Sequence, residues 1–331
     1  MRRRLAFIPA VGALLALCLL HLLLGAAKVT PGDIWAAVTA FDSTNYTHVV
    51  IIGQRLTRLV VAIYAGAALA VAGLLLQKIM QNILVSPSTL GINAGATSFV
   101  ICAVFFWRLS GPGLFLPALL GGIVAMGLTF LTSRLLEGQG DRKLNLILAG
   151  SMVSILFSSL TTFIVSLDSD AFGNLMAWLV GDIGNFDYLA LQQLGIIGVI
   201  AIGVALLMSR AVDILVLGDE QAAVVGVDVR LVYGATLATA IVLAVSAVTV
   251  VGPIGFIGLV VPHAVKILFG ETGRVTLWMC LIGGPIALIS ADILARTLLA
   301  PRLLNVGTVM GLSGGLVFLG LVVFGMRRGA R

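Results

Sequence analysis

Ten stretches of this chain are apolar over lengths that suit a lipid bilayer, and this pattern limits its possible folds more than any motif does. They lie near residues 5–27, 59–80, 92–107, 114–136, 144–167, 189–208, 232–251, 256–269, 275–298 and 306–326. A helix needs about 20 such residues to cross the hydrocarbon core. The fold class is therefore all-α: a polytopic membrane protein with about ten transmembrane helices, forming one membrane domain over residues 1–331. The third and eighth stretches are short, which implies tilt, irregular flanking backbone or misplacement. Of all residues, 60% are hydrophobic and 10% charged, against about 25% charged in soluble domains.

The net charge of +6 raises the question of a nucleic-acid partner. No basic cluster interleaved with aromatics supports one, so none is expected. Instead, the basic residues punctuate the apolar runs. With a cytoplasmic N-terminus, only Lys28, Arg55, Arg58, Arg108, Arg296 and Arg302 of the 20 Lys and Arg residues fall outside. The positive-inside rule then places both termini in the cytoplasm. A rival reading takes Arg2–Arg4 and the following apolar run as a cleaved secretory signal, although the run is long for one. Cys18, Cys102 and Cys280 lie inside apolar runs at no metal spacing and read as packing residues.

One segment departs from straight helix. Residues 252–263, GPIGFIGLVVPH, hold Gly252, Pro253, Gly255, Gly258 and Pro262 among apolar side chains. Proline removes a donor and glycine weakens a helix, so this segment is expected to bend or break. Broken backbone at membrane depth survives only against protein or a water-filled cavity, which points to a transport pathway. Residues 209–230 differ in another way, with six charges between two charge-free spans. Six spans precede this loop, so it faces the cytoplasm. Within it, LGDEQAAVVGV reads as a short helix: Gly218 at the N-cap, Asp219 and Glu220 at the positive dipole end, Gly226 at a left-handed C-cap. Ala222 and Ala223 would leave a face small enough for another protein to approach. An ordinary connecting loop is the plainer alternative.

These segments together resemble a known family. GPIGFIGLVVPH, preceded by LGDEQAAVVGV and followed by ADILART, is similar to the permease subunits of iron-siderophore, haem and vitamin B12 ABC importers (the FecCD/BtuC-type family). RLTRLVVAIYAGAALAVAGLLLQ, SPSTLGINAGA and MAWLVGDIGN extend the likeness from about Arg55 to about Gly315. Thr57, Ile83, Asn305 and Leu316 stand where that family usually has proline, which leaves local geometry open there.

The resemblance implies a type II ABC importer permease in the bacterial cytoplasmic (inner) membrane, carrying an iron chelate, foremost a ferric siderophore. Haem and cobalamin are the alternatives. It implies as partners two cytoplasmic ATPase subunits, a second permease subunit (identical or related), membrane lipid, and a periplasmic or lipoprotein substrate-binding protein. Leu217, Gly218, Asp219, Glu220, Ala222 and Gly226 would form the ATPase-coupling loop. Arg55, Arg58 and Arg296 would meet acidic residues of the binding protein; alternatively, Arg55 and Arg58 anchor a span and Arg296 pairs with Asp292 one helical turn away.

This chain carries no phosphate-binding GxxxxGK[ST] motif, so ATP and Mg belong to the partner ATPase and no cofactor is expected on this chain. No nucleophile–base set or metal spacing is evident, which argues against a membrane enzyme. His21, His48 and His263 are scattered and read as packed or hydrogen-bonding residues. An ion-coupled secondary transporter would want ionisable groups deep in its spans, and these are nearly charge-free. The pairs Gly121-Gly122, Gly283-Gly284 and Gly314-Gly315 read as sites of close helix packing.

Overall fold

The computed structural model describes residues 7–25, 29–136, 142–168, 172–184, 188–216, 219–224, 226–269, 274–300 and 302–329. Among them there is no strand, and ten long helices coincide with the ten apolar stretches. They are α1 (Phe7–Leu23), α2 (Thr57–Ile79), α3 (Ile92–Trp107), α4 (Phe115–Leu135), α5 (Arg142–Leu167), α6 (Tyr188–Leu215), α7 (Val229–Val251), α8 (Ile257–Phe269), α9 (Arg274–Thr297) and α10 (Val306–Gly329). Among the described residues, six regions, containing α2, α4, α5, α6, α7 and α9, are long and apolar enough to cross a bilayer. Helices α3 and α8, with 16 and 13 residues, are as short as their apolar runs. Irregular backbone precedes both.

Helix α2 forms the centre, with α6, α7, α8 and α9 packed around it. Its AGAALAVAG run makes this possible, because small side chains let backbones approach. A Cβ on Gly73 would stand 1.9 Å from the Gly258 carbonyl oxygen of α8, so only glycine fits that crossing. Gly284 lies against Gly66, and Gly121 against Gly95, in the close-packing role expected for both. Gly314 instead faces the side chain of Phe256.

Two stretches extend beyond the sequence reading. The helix containing α2 begins at Tyr46, through a π-helical turn at Val50–Leu56. Thr57 stands there in place of the family's proline, and its hydroxyl donates to the Ile52 and Gly53 carbonyls at 3.0 and 3.2 Å. Helix α6 continues past Met208 to Leu215, so the first part of the charged interval 209–230 is helix rather than loop. Asp228 closes that interval as the N-cap of α7, accepting from the Leu231 N–H at 3.1 Å. Of the other positions lacking the family's proline, Ile83 lies in a turn, Asn305 precedes α10, and Leu316 is exposed on α10.

Between α1 and α2, the short helix Pro31–Thr39 starts with a capping box. Thr30 and Asp33 each bond the other's backbone N–H. Those bonds to Thr30 hold the Asp33 carboxyl below its usual range.

Candidate translocation groove and coupling helix

The expected break is real but shorter than the sequence implied. Helix α7 ends at Val251 and α8 begins at Ile257, so Gly252, Pro253 and Gly255 lie in the break while Gly258 and Pro262 are helical. Gly252 adopts φ +77°, and a Cβ there would meet the Trp178 carbonyl oxygen at 1.9 Å. Pro262 has no N–H to give the Gly258 carbonyl one turn earlier. The Gln77 side-chain amide of α2 reaches that carbonyl at 3.4 Å and the Leu259 carbonyl at 3.3 Å. The proline can therefore sit inside the helix because a neighbour supplies the missing donor.

Residues 178–182 are fastened to the break. Trp178 Nε1 donates to the Thr249 carbonyl at 3.3 Å, and the Asp182 N–H donates to the Val251 carbonyl at 3.1 Å. The Gly307 N–H at the start of α10 donates to the Gly181 carbonyl at 2.8 Å.

Beside this junction lies a groove of about 590 Å³, walled by Ser154, Ser158 and Thr161 of α5 and by Asn93 and Thr97 of α3. Pro253 and Gly255 complete part of the wall, which places the broken segment in the lining. A second opening of about 530 Å³ shares Ser154, Ser158 and Thr162 and runs on to Ser166. Ser154, Ser158, Thr161, Thr162 and Ser166 recur at helical spacing and so form one face of α5. Sequence reasoning passed over this stripe, although its period was the signal that could have found it.

At the other end of the bundle, Leu217 and Gly218 lie outside the described residues. Asp219 and Glu220 open the six-residue helix Asp219–Val224. Gly226 is left-handed, with φ +82°, and the Val227 N–H closes back onto the Ala222 carbonyl at 3.0 Å. That is the C-terminal geometry expected of Gly226. Ala222, however, is fully buried within this chain. Its small side chain lets the short helix settle against the bundle and does not form an outward face. The side chain that stands out is Val224, 88% exposed.

Nearby, buried Lys78 at the end of α2 pairs with Asp213 in the last turn of α6. This contact ties the central helix to the one that leads into the short helix. A thermal-shift double-mutant cycle on Lys78→Gln and Asp213→Asn is expected to give a coupling of about 0.5–3 kcal/mol. Strictly additive shifts would show the pair to be inert.

Arg55, Arg58 and Arg296 are directed inward. Asp292 of α9 is wholly buried, and its Oδ1 accepts from Arg58 Nε at 2.8 Å. Its Oδ2 lies 2.8 Å from His21 Nε2 of α1 and 2.9 Å from Arg296 Nε. Arg58 also lies 3.6 Å from Asp182. Arg55 donates to the Leu22 and Leu23 carbonyls at 2.7 and 3.0 Å, and Arg296 to the Leu24 carbonyl at 3.1 Å. A helix C-terminus leaves its last carbonyls without intrahelical donors, and here two arginines supply them for α1. Arg55 is buried and Arg58 and Arg296 are partly so, and all three guanidiniums are engaged within the chain rather than standing free on a rim. The pairing of Arg296 with Asp292, the alternative left open by their spacing, is the geometry found.

A family model described as the FecCD transport family matches residues 13–324. The chain belongs to the FecCD transport family. Among curated members, the ferric enterobactin transport system permease protein FepD of Escherichia coli is 34% identical over 317 residues, covering 94% of this chain and 92% of that relative. The vitamin B12 import system permease protein BtuC of Vibrio cholerae is 30% identical over 316 residues, covering 95% and 92%. A solved metal-chelate type ABC transporter in an inward-facing conformation superposes with a TM-score of 0.80. At 23% identity over 97% of this chain and 99% of that one, this likeness shows the shared fold. The groove, break and short helix described above are thus features of a FecCD-family chain.

Proposed function

We propose that this chain is the membrane-spanning permease subunit of an ATP-driven importer for a ferric siderophore. The observation that carries the reading is the family match over residues 13–324, which includes the groove, the break beside it and the cytoplasmic helix. In this reading all ten helices cross or dip into the bacterial cytoplasmic membrane, with both termini inside. Two such subunits, one the second copy or a close relative, enclose the passage. Two cytoplasmic ATPases bind ATP and Mg, and an external binding protein delivers the chelate. Among described residues on the outer side in this topology, Arg108 and Arg302 are exposed, and we assign docking to them rather than to Arg55, Arg58 and Arg296, which are engaged within the chain. Rim charges of that kind set encounter rate and register more than affinity.

The mechanism is alternating access. Closure of the ATPases on ATP moves the helix Asp219–Val224. Helix α6 leads into it and α7 leads away from it, and α7 ends at the break whose Pro253 and Gly255 line the groove. One span therefore connects the cytoplasmic contact to the passage. The test is uptake of radiolabelled iron by a deletion strain supplied with ferric chelates, haem and cobalamin in turn. Loss of ferric-siderophore uptake, restored by the gene and abolished with the partner ATPase, is the expected result. Uptake that persists without the ATPase and collapses with the ion gradient would overturn it.

A further inference from the structure

The polar groups of the groove wall are biased towards accepting hydrogen bonds. A serine or threonine hydroxyl has one proton to donate and lone pairs to accept with. On α5 four of those protons are already used, while Ser158 and Ser159 keep theirs. Ser154 donates to the Gly150 carbonyl at 2.8 Å, Thr161 to the Phe157 carbonyl at 2.9 Å and Thr162 to the Ser158 carbonyl at 3.0 Å. Ser166 donates to the Phe163 carbonyl at 2.7 Å. This back-bonding is the usual habit of helical hydroxyls. What these four side chains turn to the groove is lone pairs.

Asn93 adds to the same bias. Its Nδ2 donates to Ser88 Oγ at 3.0 Å and to the Ile254 carbonyl at 3.4 Å. A carbonyl can only accept, so the amide nitrogen must face Ile254 and Oδ1 is left as the remaining acceptor. Asn93 and Thr97 are each 5% exposed, and both Asn93 Oδ1 and Thr97 Oγ1 are buried without a partner. A buried polar atom left unpaired is unfavourable, and both residues belong to the groove wall. Among the described lining residues there is no Lys, Arg, His, Asp or Glu.

We propose that this groove selects for uncharged ferric chelates whose periphery offers N–H or O–H donors, the trihydroxamate class, over anionic catecholate or citrate complexes. The inference rests on the importer reading and specifies its substrate. A trianionic complex needs cations and many donors to replace its water, and the wall offers no cation and more acceptors than donors. A neutral complex loses less on entering, and its amide and hydroxyl protons meet Asn93, Thr97 and the α5 stripe.

The test uses the complete importer in proteoliposomes, with its binding protein and ATPase, and a ferric trihydroxamate, a ferric triscatecholate and ferric dicitrate at saturating concentration. Maximal uptake per ATP hydrolysed is compared for the wild type, Thr161→Val and Thr161→Lys, after equal incorporation is verified. The wild type is expected to favour the trihydroxamate. Thr161→Val, which keeps the shape and removes an acceptor, should slow it several-fold. Thr161→Lys should shift the ratio of anionic to neutral uptake about tenfold towards the anions. A wild type that favours an anionic chelate, or a Thr161→Lys ratio like that of the wild type, would overturn the selectivity. Uptake of none of the three would overturn the importer reading itself.

Discussion

Replacing Asp292 with alanine is expected to destabilise the folded chain by about 3–5 kcal/mol, the range for removing one partner of a buried ion pair. Asp292 is fully buried, and Arg58, Arg296 and His21 all converge on its two oxygens. Its removal leaves two guanidiniums in a poorly solvated place with Asp182, 3.6 Å from Arg58, as the nearest acid. The loss spreads further, because Arg296 also holds the Leu24 carbonyl just past the end of α1. Helix α1 should then loosen from α9. Asp292→Asn keeps the shape but not the charge and should fall between alanine and wild type. The measurements are the melting temperature in detergent and protease accessibility of the N-terminal helix. If Arg58 and Arg296 were instead free charges awaiting a binding protein, Asp292→Ala would leave the melting temperature unchanged and strengthen docking. That pattern would refute the structural role given to them here.

The arginines show where sequence reading stops. Arg55 and Arg58 stand near the start of an apolar span, and a sequence shows such residues as rim charges. Their partners lie far away: Asp292 is 234 residues from Arg58, and the Leu22 carbonyl is 33 residues from Arg55. Only the Arg296–Asp292 pair, at i and i+4, has a spacing that announces itself. The ten apolar stretches were legible for the opposite reason, since burial in lipid is a local demand met residue by residue along each helix. Polar residues hid two continuations. The helix before α2 runs back through Arg55, which bonds the end of α1, and α6 runs on through Asp213, which pairs with Lys78.

The break at Gly252 was legible in position, since glycine and proline mark it directly. Its extent was not, because the donor that lets Pro262 stay helical belongs to Gln77 on another helix. The groove had a readable period on α5 but no readable direction. Hydroxyls that bond their own helix cost little wherever they point, so their spacing alone does not say whether they face lipid, protein or a passage.

Charge placed on Val224 is expected to uncouple transport from ATP hydrolysis. The short helix Asp219–Val224 has two faces of opposite consequence. Ala222 looks into the bundle, fully buried, whereas Val224 is 88% exposed on a segment that otherwise carries charge. An apolar residue projecting from a polar loop is what a partner groove would cover, and charged residues are depleted at the cores of such contacts. Val224→Asp should therefore cost at least 1.4 kcal/mol of ATPase contact, about tenfold in affinity, and uptake should fall about as far while hydrolysis continues. Because the side chain is exposed within this chain, stability should move by no more than about 0.5 kcal/mol. Glu220→Lys, at the positive end of the helix dipole, is expected to act in the same direction. Ala222→Leu should behave differently: it overpacks the inner face and lowers the melting temperature before any question of coupling arises. Normal uptake by Val224→Asp, with the permease at wild-type abundance, would remove this helix from the coupling path. The connection from α6 through Asp213 to Lys78 on the central helix would then become the route to test.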